Sequence, residues 1–274
     1  MSDPSPRKLY LLDSYADGDG ARHFTFRIDQ PLARDLAAVP GQFFMLSLPE
    51  GGEAPFSYVS LPDRNGHFDA LIRRVGHLTG ALFDLPAGAV LGYRGPFGKG
   101  WPLFFSSQRI LAVAGGCGLA SLAALIEDAA SQHMPFQLSV VYGARRTDAQ
   151  VLGRQRRRWK LIMPFIETLE ETTNRGRRGI PLDYLDELCA GEMPDAVLCS
   201  GPEPMLLATA EEWLQRGVPA NRIWIAAGCC LPCRSGVCDD CTQGADGPIY
   251  RYDRYRLLQA AGDDPPFGRE GWFG

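Results

Sequence analysis

Between residues 110 and 226, short apolar runs alternate with longer helical patterns, and this rhythm restricts the possible folds more than any other feature of the chain. The runs 110–114, 137–142, 161–169, 196–199 and 222–226 predict strands, and 119–129, 148–159, 181–188 and 204–216 predict the helices between them. Parallel neighbours need a crossover of about a dozen residues, which such helices supply, so the stretch predicts a parallel sheet wrapped by helices. Residues 8–100 read differently. Segments 23–28 and 42–48 alternate or run apolar between Gly, Pro and Asp turn signals, which predicts a small β-barrel with one short helix over 79–82. The expected fold class is a β-barrel domain over 1–102, an α/β parallel-sheet domain over 103–227 and a small Cys-rich module with its tail over 228–274.

A chain of 274 residues has material for two cores. Its net charge of −4 argues against nucleic acid as partner, because phosphate binding needs a basic face. The one basic run, 154–160, reads as a solvated helix face. No apolar stretch reaches the roughly 18 residues that span a bilayer, and the N-terminus lacks a signal-peptide core, so the expected location is the cytoplasm.

Two turns carry the chemistry of the α/β half. Gly115, Gly116 and Gly118 lie between a predicted strand and helix, where backbone N–H groups and the helix dipole favour a phosphate. A tight turn without ligand would use the same glycines. Gly201, Pro202 and Met205 occupy a second strand-to-helix turn. Both turns fall at the carboxyl ends of parallel strands, where ligands bind such sheets, and together they predict a nucleotide site. Arg145 and Arg146 follow the second strand, as nucleotide contacts or as a solvent-facing turn.

Eight cysteines in a cytoplasmic chain call for a reason, since stable disulfides are rare there. Cys117, Cys189 and Cys199 sit among apolar neighbours and read as small core residues. The other five, Cys229, Cys230, Cys233, Cys238 and Cys241, fall within thirteen residues. Four thiolates at C-x2-C-x4-C-x2-C spacing suit an iron–sulfur cluster or a zinc ion equally well.

In order along the chain stand Pro55-Phe56-Ser57-Tyr58, Arg73-Arg74-Val75-Gly76-His77-Leu78-Thr79, Gly95-Pro96-Phe97-Gly98-Lys99-Gly100, Gly115-Gly116-Cys117-Gly118 and Gly201-Pro202-Glu203-Pro204-Met205. This series resembles the ferredoxin–NADP reductase superfamily. Within it, the chain is most similar to the branch of the dihydroorotate dehydrogenase electron-transfer subunit and the diaphorase subunits of sulfhydrogenases and anaerobic sulfite reductases. The resemblance implies that Pro55, Phe56, Ser57 and Tyr58 lie along the isoalloxazine and ribityl groups of FAD. It implies that Val75, Gly76 and Thr79 bind the pyrophosphate, and that Arg73 neutralises it. Many relatives carry arginine where Ala54 stands, a role Arg73 or Arg74 is expected to fill. The resemblance also implies a [2Fe–2S] cluster. Cys233, Cys238 and Cys241 match three of its ligand positions, but Gly244 and Ala245 stand where relatives place a fourth cysteine before Asp246-Gly247-Pro248. Cys229 or Cys230 then supplies the fourth thiolate.

The function so implied is a diaphorase-type, NAD(P)H-dependent oxidoreductase subunit, passing electrons through FAD and the cluster to a catalytic partner in a hetero-oligomer. A flavin reductase with structural zinc and a non-catalytic scaffold are the rival readings. His23, His67, His77 and His133 have no partner at ligand or triad spacing and read as surface or barrel histidines.

Overall fold

The computed structural model describes residues 5–49, 52–104, 108–131, 136–171, 177–189, 191–226 and 249–252. The first unit comprises β1 (Arg7–Ala16), β2 (Ala21–Ile28), α1 (Ala33–Leu36), β3 (Phe43–Leu48), β4 (Gly52–Ser57), β5 (His67–Arg73), α2 (His77–Phe83) and β6 (Val90–Phe97). Its strands form one antiparallel sheet in the order β4-β3-β6-β1-β2-β5. Strand alternation builds the core: Phe24, Phe26 and Ile28 are fully buried, whereas Thr25 and Arg27 between them keep part of their surface. Leu9, Phe44, Leu46, Phe68 and Tyr93 fill the same interior. The ends of the sheet meet where the Val59 N–H donates to the Asp69 carbonyl at 2.8 Å, and Ser60 bridges the same residue.

The second unit comprises β7 (Arg109–Gly115), α3 (Leu119–Ala130), β8 (Gln137–Ala144), α4 (Gly153–Trp159), β9 (Phe165–Leu169), β10 (Arg177–Arg178), α5 (Leu185–Cys189), β11 (Ala196–Ser200), α6 (Glu203–Gln215), β12 (Ile223–Ala226) and β13 (Ile249–Arg251). The strand order is β10-β9-β8-β7-β11-β12-β13, all pairs parallel except the last. Two expected boundaries move. Residues 145–150 form turns and Leu152 adopts a left-handed backbone (φ 53°), so α4 starts at Gly153. The chain turns again after Trp159 and β9 begins only at Phe165, beyond Pro164. The sequence pattern also stops the sheet at residue 226, yet β13 extends it, with Ala226 opposite Ile249. The five clustered cysteines lie outside the described residues.

The basic run is a solvated helix face except at Arg156, which is buried. Arg156 and Lys160 pair with Glu167, Arg158 pairs with Glu127, and Arg154 lies over the Tyr15 ring. No described helix is long and apolar enough to cross a membrane.

The two units share apolar packing. Ala21, Val59, Leu71 and Trp101 join the cluster that contains Ile110, Leu119 and Tyr142. Trp101 Nε1 donates to the Ser121 carbonyl at 2.8 Å. The β1–β2 turn also docks on the loop before α4: Asp19 N–H donates to the Asp148 carbonyl at 2.7 Å, and Gly153 N–H donates to Asp17 Oδ1 at 3.0 Å. Gly18, at φ +102°, makes this approach possible, because a Cβ there would lie 2.9 Å from the Gln150 carbonyl oxygen.

Candidate functional site

At the carboxyl ends of β7, β8, β9 and β11 lies a cavity of about 660 Å³. Gly115, Gly116, Arg145, Pro202 and Met205 line it, together with Arg73 from the first unit. Gly116 takes a left-handed backbone (φ 51°) that favours glycine. Gly118 and Gly201 do not line the cavity and act beneath it. A Cβ on Gly118 would lie 2.5 Å from the Ser200 carbonyl oxygen, and one on Gly201 would lie 3.0 Å from Gly115 N. Glycine at these sites lets two strand-to-helix turns touch backbone to backbone. Ser121 Oγ reinforces that seam, 2.8 Å from Ser200 Oγ and 3.1 Å from the Gly118 carbonyl.

Several lining residues carried no sequence signal. Asp19 arrives from the other unit, Glu170 and Glu171 follow β9, and Gly179 to Leu182 come from the β10–α5 connection. The Pro181 ring lies where a Cβ on Gly143 would be, 2.7 Å away.

On the first unit, β4 is an edge strand, where Pro55 costs no ladder hydrogen bond. Pro55, Phe56 and Ser57 are half-buried, with Phe56 packed on the barrel core. Tyr58 departs from the sequence expectation. It is fully buried, its hydroxyl 2.6 Å from that of Tyr93, which in turn lies 3.3 Å from Asp35 Oδ1. Burial and these neighbours push the Tyr58 phenol well above its ordinary range. Tyr58 is a core residue that supports the strand from behind, because the aromatic set Phe44, Phe68 and Tyr93 claims its ring.

The 73–79 segment forms a built turn. Thr79 Oγ1 accepts from Val75 N–H at 2.9 Å and Gly76 N–H at 3.0 Å. The N–H groups of the first turn of α2 have no intrahelical acceptor, as at every helix start. Gly76 is extended (φ −168°), and nothing lies within 4 Å of a Cβ built there. The Arg73 guanidinium reaches the other unit and bonds the Cys117 side chain. Burial pushes the Cys117 thiol up, an effect Arg73 only partly offsets.

His23 acquires partners that no spacing announced. It is 3% exposed, with Nδ1 3.6 Å from Asp17 Oδ2, Nε2 3.7 Å from Asp69 Oδ1, and its ring stacked on Tyr15. Burial alone would lower its pKa, but the two carboxylates outweigh burial and push it up to about 9. Burial likewise opposes ionisation of Asp17 and Asp69, yet His23 and the hydrogen bonds each carboxylate accepts hold both below the usual range.

Residues 17–101 match the model of the oxidoreductase FAD-binding domain family. A probable dihydroorotate dehydrogenase B (NAD(+)) electron transfer subunit from Methanopyrus kandleri is 34% identical over 223 residues, covering 79% of this chain and 80% of that protein. The chain belongs to the ferredoxin–NADP reductase superfamily, in the branch of these electron-transfer subunits. The sulfhydrogenase 1 gamma subunit of Pyrococcus furiosus, from the same branch, is 26% identical over 273 residues, 92% of this chain and 94% of that protein. In fold, the chain resembles a chain from the structure of an NADH-dependent reduced ferredoxin–NADP oxidoreductase, with a TM-score of 0.72 at 22% identity over 94% of this chain and 95% of that one.

Proposed function

We propose that this chain is the electron-transfer subunit of an NAD(P)H-dependent oxidoreductase, holding FAD on the first unit and a [2Fe–2S] cluster on the cysteine segment, and serving a separate catalytic subunit in the cytoplasm. The observation that carries the reading is the cavity that Arg73 of the first unit shares with Gly115, Gly116 and Met205 of the second. It lets one end of a dinucleotide reach the first unit while the rest lies on the sheet. FAD, when bound, supplies hydride acceptance and the release of electrons one at a time.

The chain's own residues position and shield. Pro55, Phe56 and Ser57 present a rigid edge strand for a flat ring, and the open space at Gly76 beside the start of α2 suits a pyrophosphate. Val75, 62% exposed, borders that space. Gly116 offers backbone to the NAD(P)H phosphates, and Met205 closes the floor. Cys233, Cys238, Cys241 and one of Cys229 or Cys230 are the proposed cluster ligands. The pairing of Ala226 with Ile249 supports this, since the segment carrying them leaves and rejoins the sheet at one place.

Two measurements test the reading. Anaerobically purified protein is expected to contain flavin with roughly two iron and two sulfide per chain, bleached by NADH or NADPH. Flavin with one zinc and no iron would replace the cluster by a structural metal, and absence of both flavin and iron from folded protein would reject the proposal. Gly76→Ala places a methyl in free space at an ordinary backbone angle, so stability is expected to stay within about 0.5 kcal/mol. FAD retention is expected to fall at least about tenfold by equilibrium dialysis. Unchanged retention would remove the pyrophosphate from this turn.

A further inference from the structure

The connection between β2 and β3 carries an exposed apolar face. Leu32, Leu36 and Val39, at i, i+4 and i+7, are 43%, 46% and 37% exposed, and Ala33 and Ala37 beside them are exposed as well. Asp35 points the other way, fully buried, and accepts hydrogen bonds at 2.6 Å from both Nη atoms of Arg7. Gln42 fastens the far end: its Oε1 accepts from Val39 N–H at 2.9 Å and its Nε2 donates to the Gly98 carbonyl at 2.7 Å. The face is thus held rigid from behind, which lowers the entropy that a partner must remove on binding. Its position is specific. Gly41 (φ +87°) lies so close to β13 that a Cβ there would be 2.7 Å from Ile249 Cδ1, and Ile249 is where the chain rejoins the sheet after the cysteines. Two residues on, Phe43 pairs with Ser57 at the end of β4. Leu161 and Ile162 are exposed too, but they precede β9, at the end of the sheet away from the cavity.

We propose that the face of Leu32, Leu36 and Val39 is the docking surface for the electron-accepting catalytic subunit, and that this partner presents an apolar centre bordered by carboxylates. The inference rests on the electron-transfer reading above and adds where the acceptor sits. Electrons cross only short gaps between centres, so the acceptor must lie close to the cysteine segment or to the flavin strand. Both meet the chain at this turn, and an apolar cluster standing on a surface marks an interface. Charge sets the partner's rim. Within 31–42 and 98–101 the basic residues are Arg34 and Lys99, both exposed, and the one carboxylate is the buried Asp35. Lys99 belongs to this rim, because a Cβ on the adjoining Gly100 would lie 2.9 Å from Val39 Cγ2. The chain as a whole carries a net charge of −4, so this patch is opposite in sign to its surroundings and steers an acidic rim onto it.

The experiment isolates the complex from the organism's own cells through a tag on this chain. The partner is the subunit held in fixed ratio whose redox centre NADH or NADPH reduces only when this chain is present. Hydrogen–deuterium exchange then compares the full chain alone with the chain in that complex. Amides of 32–39 are expected to exchange at least about tenfold more slowly in the complex. Leu36→Glu is expected to lower affinity for the partner at least about tenfold, because it buries an unpaired charge in the interface. Arg34→Glu is expected to lower it about fivefold at low salt and less at high salt. Both side chains are exposed, and thermal melts show that the variants are folded. Reduction of ferricyanide by NADH or NADPH is expected to stay unchanged in both, since this small ion takes electrons without docking there. Unchanged exchange at 32–39, full affinity of Leu36→Glu, or absence of such a subunit overturns the docking surface. Slow exchange already present in the chain alone does so too, a monomer mass assigning the cover to the chain's own cysteine segment and a dimer mass to a second copy. Failure of the native chain to reduce ferricyanide overturns the electron-transfer reading with it.

Discussion

Gly118→Ala is expected to destabilise the protein by about 2–4 kcal/mol and to abolish dinucleotide binding. The backbone at Gly118 is right-handed helical, φ −58° and ψ −23°, a conformation in which alanine is ordinarily the better residue. Without tertiary structure the change would therefore stabilise. In the folded chain the added Cβ meets three backbone atoms, Ser200 O at 2.5 Å, Gly201 N at 2.6 Å and Ser200 C at 2.6 Å. None can swing away as a side chain would, so β7 and β11 must separate at their tips or the helix start must shift. Either movement breaks the Ser121–Ser200 contact and changes the cavity floor at Gly115 and Met205. Urea denaturation with a parallel dinucleotide titration measures both effects. A variant within 0.5 kcal/mol of the native protein would mean that the seam is loose and the glycine is free to change.

His23→Leu is expected to cost about 3 kcal/mol near neutral pH, because it leaves Asp17 and Asp69 in a largely buried site without their cation. The sign of the pH dependence follows from the shifts. The folded pKa of His23 is raised to about 9, so its contribution is complete below its ordinary value of 6.5 and is lost as pH rises through about 9. Asp17 and Asp69 are shifted down, so their contribution is present above the ordinary carboxylate range and is lost as pH falls through their lowered folded values. The cluster therefore supports the fold most from weakly acidic to neutral pH. Denaturation of both proteins at intervals from pH 5.5 to 9.5 is expected to show native stability declining above neutrality and the variant lacking that decline. A native profile that is flat over this range would show that His23 is not charged in the fold. The effect also reaches the junction of the units, because Asp17 accepts from Gly153 at the start of α4.

Much of the architecture was legible in the chain. The switch of apolar rhythm near residue 100 reports two kinds of sheet, since strand alternation and strand–helix alternation are local properties of neighbouring side chains. The glycine turns were legible for the same reason, as backbone conformation is written in Gly and Pro, whereas the 73–79 segment stood out only through the resemblance to the family. Tyr58 misled because sequence order places it beside Ser57, whereas its ring is claimed by Phe44, Phe68 and Tyr93 from strands distant along the chain.

What the sequence by itself determined is the alternation of strands and helices and the two strand-to-helix turns. Each depends on residues within one or two turns of one another, where covalent connection fixes proximity. Tertiary structure alone decided which charges meet. His23 between Asp17 and Asp69, Arg146 held by Asp19, and Arg158 paired with Glu127 join residues whose separation in the chain bears no relation to their distance in space. Electrostatic energy depends on that distance and on burial, so the chemistry of the site had to wait for the fold.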